Sequence, residues 1–443
     1  MDIGIIGAGV AGLAAANVLG KQGHRVSVYE GAPFLGGQAS TFDVGGGRLE
    51  KGYHHLFTTD TAIIELMDEL GLGSRLKWIE SKVGFFYNYK IHRLVTPVDL
   101  LKFTEISFID RVRLGLVTLY LKRYKDWRKL EKYTAAEWIR KYAGKGVYDV
   151  VWGPLLRGKF GGQYDKVGMP WFWGKIQTRF ASRGKGIKGM QKESLGYPIG
   201  SFDEIFDALS ERIKENGGSI NLSTPVRQVI VEDGIAKGLE IDNGAGGVEK
   251  KNFDYILSTT PSYIFPRLVH ELPDDYVKKL NDVDYLAAVL VILVMDRPFT
   301  DIYWLNIADR SIPFVGLIEQ TNFVEPALYG GNHVLYISNY LGEDNPHFAM
   351  EPDDLLEEYI PHLKKINPLF EKSWIKDWHY HKVAAAQPII GTNYSERIPE
   401  HRTPIRNLYL ANTTQIYPED RGTNYSIRMG NEVASLIMED MER

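Results

Sequence analysis

The sequence predicts an α/β protein: a parallel-sheet domain assembled from three separated stretches of chain, with an inserted domain of mixed sheet plus helical cap. Three observations carry that expectation. The first thirty residues read as strand, glycine turn, helix and strand. Strand patterns return around Gly196–Pro261 and again near the C-terminus, and the segments between them differ in charge and periodicity.

The opening element is "DIGIIGAGVAGLAAANVLGKQGHRVSVYE". Ile3, Ile5 and Ile6 make a short buried strand, Leu13, Ala16 and Leu19 recur at helical spacing, and Val26 and Val28 alternate into a second strand. Gly7, Gly9 and Gly12 form G-x-G-x-x-G between them. The first glycine permits a tight turn, the second lets a pyrophosphate approach the backbone, and the third packs helix against strand. The helix start at Val10 and Ala11 adds unpaired N–H groups and a positive dipole end. Glu30 closes the second strand, where a carboxylate accepts hydrogen bonds from an adenosine ribose and repels a 2′-phosphate. These features describe a Rossmann-like dinucleotide site.

"GAPFLGGQAST" follows, with Gly36 and Gly37 just past Glu30. A second backbone without side chains closes over the same pyrophosphate. This extended motif resembles the FAD-dependent amine oxidase superfamily, which includes monoamine oxidases, protoporphyrinogen oxidases and phytoene desaturases. Where many of those have arginine or lysine, this chain has Gln38. Two further blocks carry the resemblance. "GYPIGSFDEIFDALSERIKENGGSINLSTPVRQVIVEDGIAKGLEI" is similar to the family's second nucleotide segment, which implies an adenine contact at Val226; Ser201 replaces its second glycine. "NLYLANTTQIYPEDRGTNYSIRMGNEVASLIMED" resembles the family's terminal strand, loop and helix, with Asn412 where Gly-Asp or Gly-Glu is common. The resemblance implies that the helix start at Gly422, Thr423, Asn424 and Tyr425 lies under the flavin pyrimidine. There a helix dipole stabilises the negative charge of a reduced ring.

The implied FAD-binding domain comprises 1–76, 195–261 and 388–443. The implied substrate domain comprises 77–194, a basic helical cap, and 262–387, a sheet. "WGPLLRGKFGGQYDKVGMPWFWGKI" resembles the superfamily's substrate-domain element, and "AAVLVILVMD" and "HVLYISNY" are strand patterns. Tyr303 and Trp304, in "DIYWLNIADRSIPFVGLIEQTNFV", are candidate cavity walls. No second G-x-G-x-x-G follows a strand, so a separate NAD(P)H domain is not expected.

"EKGYHHLFTTD" places Gly52, Tyr53, His54 and His55 where the family passes the flavin. "HLFTTD" also resembles a motif beside the FAD of UDP-galactopyranose mutases, with Thr58 for its second histidine. His55 then faces the flavin, and His54 points the other way if the segment is extended. His55 could donate a hydrogen bond to the flavin, act as general acid or base, or carry the flavin covalently.

Composition limits the chemistry. The 443 residues contain no cysteine, which excludes disulfides, thiolate nucleophiles and iron–sulfur clusters. No run of eighteen apolar residues occurs, and a strand begins at Asp2, which predicts a cytoplasmic protein. Lys77–Glu193 carries 25 Lys and Arg against 10 Asp and Glu, while the rest of the chain holds 27 against 46. That asymmetry suits a solvated helical face, an anionic ligand, or peripheral contact with an acidic membrane surface. Nucleic acid is not an expected partner, no metal site is assigned, and the sequence specifies no oligomeric state.

The resemblance implies an oxidoreductase that moves a hydride from a C–H or C–N bond of a small molecule to FAD. The electrons would leave to dioxygen, a quinone or another acceptor. A non-redox mutase acting on a sugar nucleotide is the alternative, and a flavin-bearing scaffold without turnover is a third class.

Overall fold

The computed structural model describes residues 1–94, 96–181, 194–242, 244 and 246–443. Residues 182–193 of the basic insert therefore lie outside the described residues. The central sheet is parallel, with strands in the order Leu408–Leu410, Tyr255–Ser258, Asp2–Ile6, Arg25–Tyr29 and Ser219–Asn221. Three separated regions supply those five strands. Ile3, Ile5, Val28, Ile256 and Leu257 are fully buried, as expected for strands covered on both faces.

Helix Val10–Lys21 packs across helix Thr423–Met441. Their contact requires glycine at 430, where a Cβ would collide with the Ala11 carbonyl. Joining the two helices at this point brings residues from both chain ends to one side of the sheet. An antiparallel three-stranded sheet, Val226–Glu232, Ile235–Asp242 and Val248–Asn252, flanks the nucleotide domain.

The second large sheet has seven strands: Ile375–Pro388, Tyr285–Met295, His333–Leu341, Gly316–Glu319, Trp304–Ile307, Val83–Tyr87 and Lys90–His92. The near-continuous apolar run of Tyr285–Met295 reflects burial on both faces. Val289, Val291 and Leu293 join one core with helix Pro352–Ile366, while Ala288, Leu290 and Ile292 join the main core. Two of the seven strands come from 77–194, the stretch expected to form a basic helical cap. Val83–Tyr87 pairs in parallel with Trp304–Ile307, a partner more than two hundred residues away that no local pattern announces.

A two-stranded ribbon, Leu76–Glu80 against Ser194–Pro198, links that insert to the nucleotide domain. Beyond it helices Pro97–Lys102, Phe108–Arg123, Ala135–Tyr142, Gly153–Phe160 and Met169–Ala181 form the cap. No helix among the described residues is long and apolar enough to cross a membrane.

Candidate active site

Two glycine turns face each other at the start of the first helix. Gly7 adopts a left-handed φ of 105°, and Gly36 and Gly37 adopt 87° and 57°. Gly9 pairs with Gly36, and a Cβ on Gly37 would sit 3.1 Å from the Gly9 Cα. Side chains at these positions would fill the slot between the turns. With glycine there the slot remains a backbone-lined cradle, and the donor set fits the pyrophosphate of FAD. Glu30 stands beside it, accepting from Ala8 N–H at 2.9 Å and Ala32 N–H at 2.9 Å, one to each carboxylate oxygen. Each oxygen keeps a lone pair for a ribose hydroxyl. Val226 begins its strand two residues after Thr224, whose N–H bonds the Glu30 carbonyl, so it flanks the same end.

A cavity of ≈ 400 Å³ lies where the cap, the large sheet and helix Thr423–Met441 meet. Gln38, Gly52, Tyr53, His54 and His55 reach it from one side, and Gly422, Thr423, Asn424 and Tyr425 from another. Gln38 donates to the Ala385 carbonyl at 2.8 Å and so fastens the double-glycine turn to the substrate sheet. Asn424 accepts from Ile63 N–H at 3.2 Å, which fixes the start of the C-terminal helix. Asn412 is placed differently. It is buried, donates to the Thr260 carbonyl and Ser262, and accepts from Thr414, so its side chain ties loops together outside the cavity lining.

Gly52–His55 is irregular rather than a strand, so the alternation expected of extended backbone does not hold. Both histidines line the cavity. His54 Nδ1 lies 2.6 Å from the Gly52 carbonyl and must donate to it, which leaves Nε2 as an acceptor. His55 Nδ1 lies 3.1 Å from the Tyr303 hydroxyl. Tyr303 is fully buried and outside the lining, one layer behind the wall position expected of it, because its ring stacks on Phe323 at 4.4 Å. Its buried O–H requires an acceptor; donation to Nδ1 leaves His55 with an Nε2–H. Trp304 does form wall, edge-on to His55 and Tyr53.

Burial holds His54 down to about 4 and His55 down to about 3, with nearby cations adding to the effect. Both rings are therefore neutral when folded at pH 5 but protonate in the unfolded chain below about 6.5. The unfolded state binds more protons through that interval, so their contribution to stability falls as pH drops from about 6.5 toward 3. Glu50 and Glu319, raised by burial to about 7, act oppositely and take up protons first in the folded state. The prediction is that a His54→Asn, His55→Asn variant loses less melting temperature between pH 7 and pH 5 than the parent. Equal losses in thermal melts would refute it.

The cavity's other side is built largely from Trp152–Ile176, the segment that resembles the superfamily's substrate-domain element. Its walls include Trp152, Trp171, Phe172, Ile176 and Leu290, while Lys159, Lys175, Arg179 and Arg421 also line it. Lys159 and Lys175 reach the same Asp420 oxygen at 3.3 and 2.6 Å. Arg421 donates to the Tyr340 hydroxyl at 3.2 Å and to Gln387 at 3.1 Å, and Tyr340 meets Tyr53 at 3.3 Å. Burial would raise the Tyr340 phenol, but Lys159 and Arg421 hold it below its ordinary value. Most of these residues fall in two segments that the sequence singles out, Trp152–Ile176 and the loop before Gly422, but no motif assigns their individual side chains to a cavity.

Comparisons with known proteins agree with this geometry. The family model described as flavin containing amine oxidoreductase matches residues 10–435. A 15-cis-phytoene desaturase of Glycine max is 23% identical over 475 residues, covering 100% of this chain and 80% of that protein. A coproporphyrinogen III oxidase of Staphylococcus aureus is 24% identical over 321 residues, covering 65% and 67%. The solved structure of a reduced UDP-galactopyranose mutase superposes with a TM-score of 0.76 at 17% identity, covering 99% of this chain and 95% of that one.

Proposed function

Since the chain belongs to the flavin containing amine oxidoreductase family and is an FAD-dependent oxidoreductase, we propose that it takes a hydride from a C–H or C–N bond of an apolar, lipid-like substrate bearing an anionic group. One observation carries this reading: the cavity between the glycine cradle and the C-terminal helix start combines apolar walls with Lys159, Lys175, Arg179 and Arg421. Lys159 and Lys175 share the single carboxylate of Asp420, so the cluster is net cationic and suits an anionic group, while the tryptophans suit an apolar body.

Bound FAD supplies the hydride acceptor. Gly7, Gly9, Gly12, Val10, Ala11, Gly36 and Gly37 would hold its pyrophosphate, Glu30 its ribose and Val226 its adenine end. Gln38, Gly52, Tyr53, Asn424 and the N–H groups at Gly422–Tyr425 would surround its ring, while Asn412 shapes the loop below. His55 presents Nε2–H, a hydrogen-bond donor at the cavity, and Tyr340 a hydroxyl with a lowered proton affinity that can give up and regain a proton there. Trp304, Trp171 and Phe172 exclude water. On this reading the FAD-binding stretches are 1–76, 195–261 and 388–443, and the substrate stretches are 77–194 and 262–387. The insert's exposed cations, which the cavity does not use, fit peripheral contact with an acidic membrane surface.

The test is to reconstitute the protein with FAD and mix it anaerobically with apolar carboxylates and diphosphates, following flavin absorbance and product mass. Flavin bleaching with loss of two hydrogens from an anionic compound is expected. A product of unchanged mass would replace hydride transfer by mutase-type chemistry. Glu30→Gln should weaken FAD by about 1–3 kcal/mol, the range for a charge-assisted hydrogen bond, with the fold retained. FAD titration of the variant that matches the parent would move the ribose contact elsewhere.

A further inference from the structure

Helix Phe108–Arg123 carries an apolar stripe on the wrong side for a core. Phe108, Ile109, Val112, Leu116, Leu119 and Tyr120 are 42–67% exposed, and their spacing puts all six on one face. Leu114 and Leu121, on the opposite face, are the buried ones. The exposed face extends sideways. Helix Pro97–Lys102 packs beside it, with Leu100 against Gly115, and adds exposed Val98 and Leu101. Asn88 bonds Glu105 at 3.3 Å, bringing the hairpin tip with exposed Tyr89 alongside. Apolar residues scattered singly on a surface need no explanation; a contiguous field of this kind marks a contact surface.

Charge selects the occupant. Lys90, Arg93, Lys102, Arg113, Lys122 and Arg123 are exposed around the field. The nearby acids are committed: Asp99 closes a capping box with Thr96, Asp110 is bonded to Ser107 and Glu105 to Asn88. An apolar face whose rim carries more cations than acids among the described residues matches the interface of an anionic bilayer, where side chains enter the acyl boundary and cations meet headgroup phosphates. A protein partner would need a matched acidic rim.

We infer that helices Pro97–Lys102 and Phe108–Arg123, with the Tyr89 turn, form a monotopic docking surface that inserts into one leaflet of an anionic membrane. The inference deepens the membrane contact proposed above and is independent of the reaction assigned to the cavity. It also orients the site. Gln177 donates to the Leu121 carbonyl at 2.6 Å, so the docked helix is fastened to helix Met169–Ala181, whose Lys175, Ile176 and Arg179 line the cavity.

The experiment is flotation of the FAD-loaded full chain with vesicles of phosphatidylcholine alone or mixed with phosphatidylglycerol. The parent should float with the mixed vesicles and poorly with the neutral ones. An Ile109→Ser, Leu116→Ser variant should lose at least about tenfold in vesicle affinity, since both side chains would enter the acyl boundary. Both positions are exposed, so its melting temperature and flavin spectrum should match the parent's. Raising salt until the screening length falls below about 8 Å should weaken the parent's binding. Three results would overturn the inference: no flotation of the parent, equal flotation of parent and variant, or a parent that is dimeric by sedimentation and becomes monomeric in the variant without ever binding vesicles. The last would assign the face to a second copy of the chain. Because flotation needs no turnover, these outcomes are separate from any failure of the hydride-transfer reading.

Discussion

His55→Ala should lower single-turnover flavin reduction about 100-fold or more, the loss of one positioned hydrogen-bond donor at developing negative charge costing about 10²–10³-fold. The expectation rests on one hydrogen bond and one burial. Tyr303, fully buried and stacked on Phe323, holds Nδ1 at 3.1 Å, so the ring presents Nε2–H to the cavity in a fixed orientation. Burial keeps the imidazole neutral across the physiological range, which suits a group that must not repel Lys175 and Arg179 nearby. His54→Ala serves as the control. That ring is fastened to the Gly52 carbonyl, and losing the bond should cost about 0.5–1.5 kcal/mol of stability with little change in rate. Tyr303→Phe should fall between the two, because it frees the His55 ring to turn without removing it. Stopped-flow reduction of the three variants and their absorption spectra decide the matter. Similar small effects in all three would return the histidines to a packing role and leave Tyr340 as the proton-handling group.

The nucleotide half of the molecule was legible because its signals are local. Gly7, Gly9, Gly12, Glu30 and Gly36-Gly37 fall within thirty-one residues, and each is dictated by backbone geometry that a short window reveals. The C-terminal helix start was legible for the same reason. What sequence reading could not assemble was the far wall of the cavity. Lys159 and Lys175 belong to the cap, Tyr340 to the large sheet and Asp420-Arg421 to the final loop, and long-range packing, such as that of helix Gly153–Phe160 on strand His333–Leu341 and the parallel pairing of Val83–Tyr87, brings these distant stretches together. Composition registered the cations as a total without saying which ones turn inward. The histidine pair differs for another reason: the opposite orientation of His54 was expected only of an extended segment, and Gly52–His55 is not a strand.

Asp420→Ala should destabilise the protein by about 3–5 kcal/mol, the range for breaking a buried ion pair by removing one partner. The Asp420 side chain is 8% exposed, and Lys159 and Lys175 converge on one of its oxygens at 3.3 and 2.6 Å. Its carboxylate is held well below the ordinary range: burial opposes ionisation, and the attraction of Lys159, Lys175 and Arg421 overcomes it. That stabilisation is complete above the unfolded carboxylate value of about 4 and disappears as pH falls through the folded one. Lys175 keeps some contact with solvent, which places the expected loss nearer 3 than 5 kcal/mol. Removing all three charges together, Asp420→Leu with Lys159→Met and Lys175→Met, should recover most of the stability, since a packed apolar replacement leaves no uncompensated charge. It should not recover binding of an anionic substrate. Urea denaturation and substrate titration of the single and triple variants separate the two roles of the cluster. If the single variant unfolds within about 0.5 kcal/mol of the parent, as surface substitutions do, the lysines are held by solvent and the ion pairs are incidental. If the triple variant binds anionic substrate as the parent does, Lys159 and Lys175 serve the fold alone, and any charge preference of the cavity rests on Arg179 and Arg421.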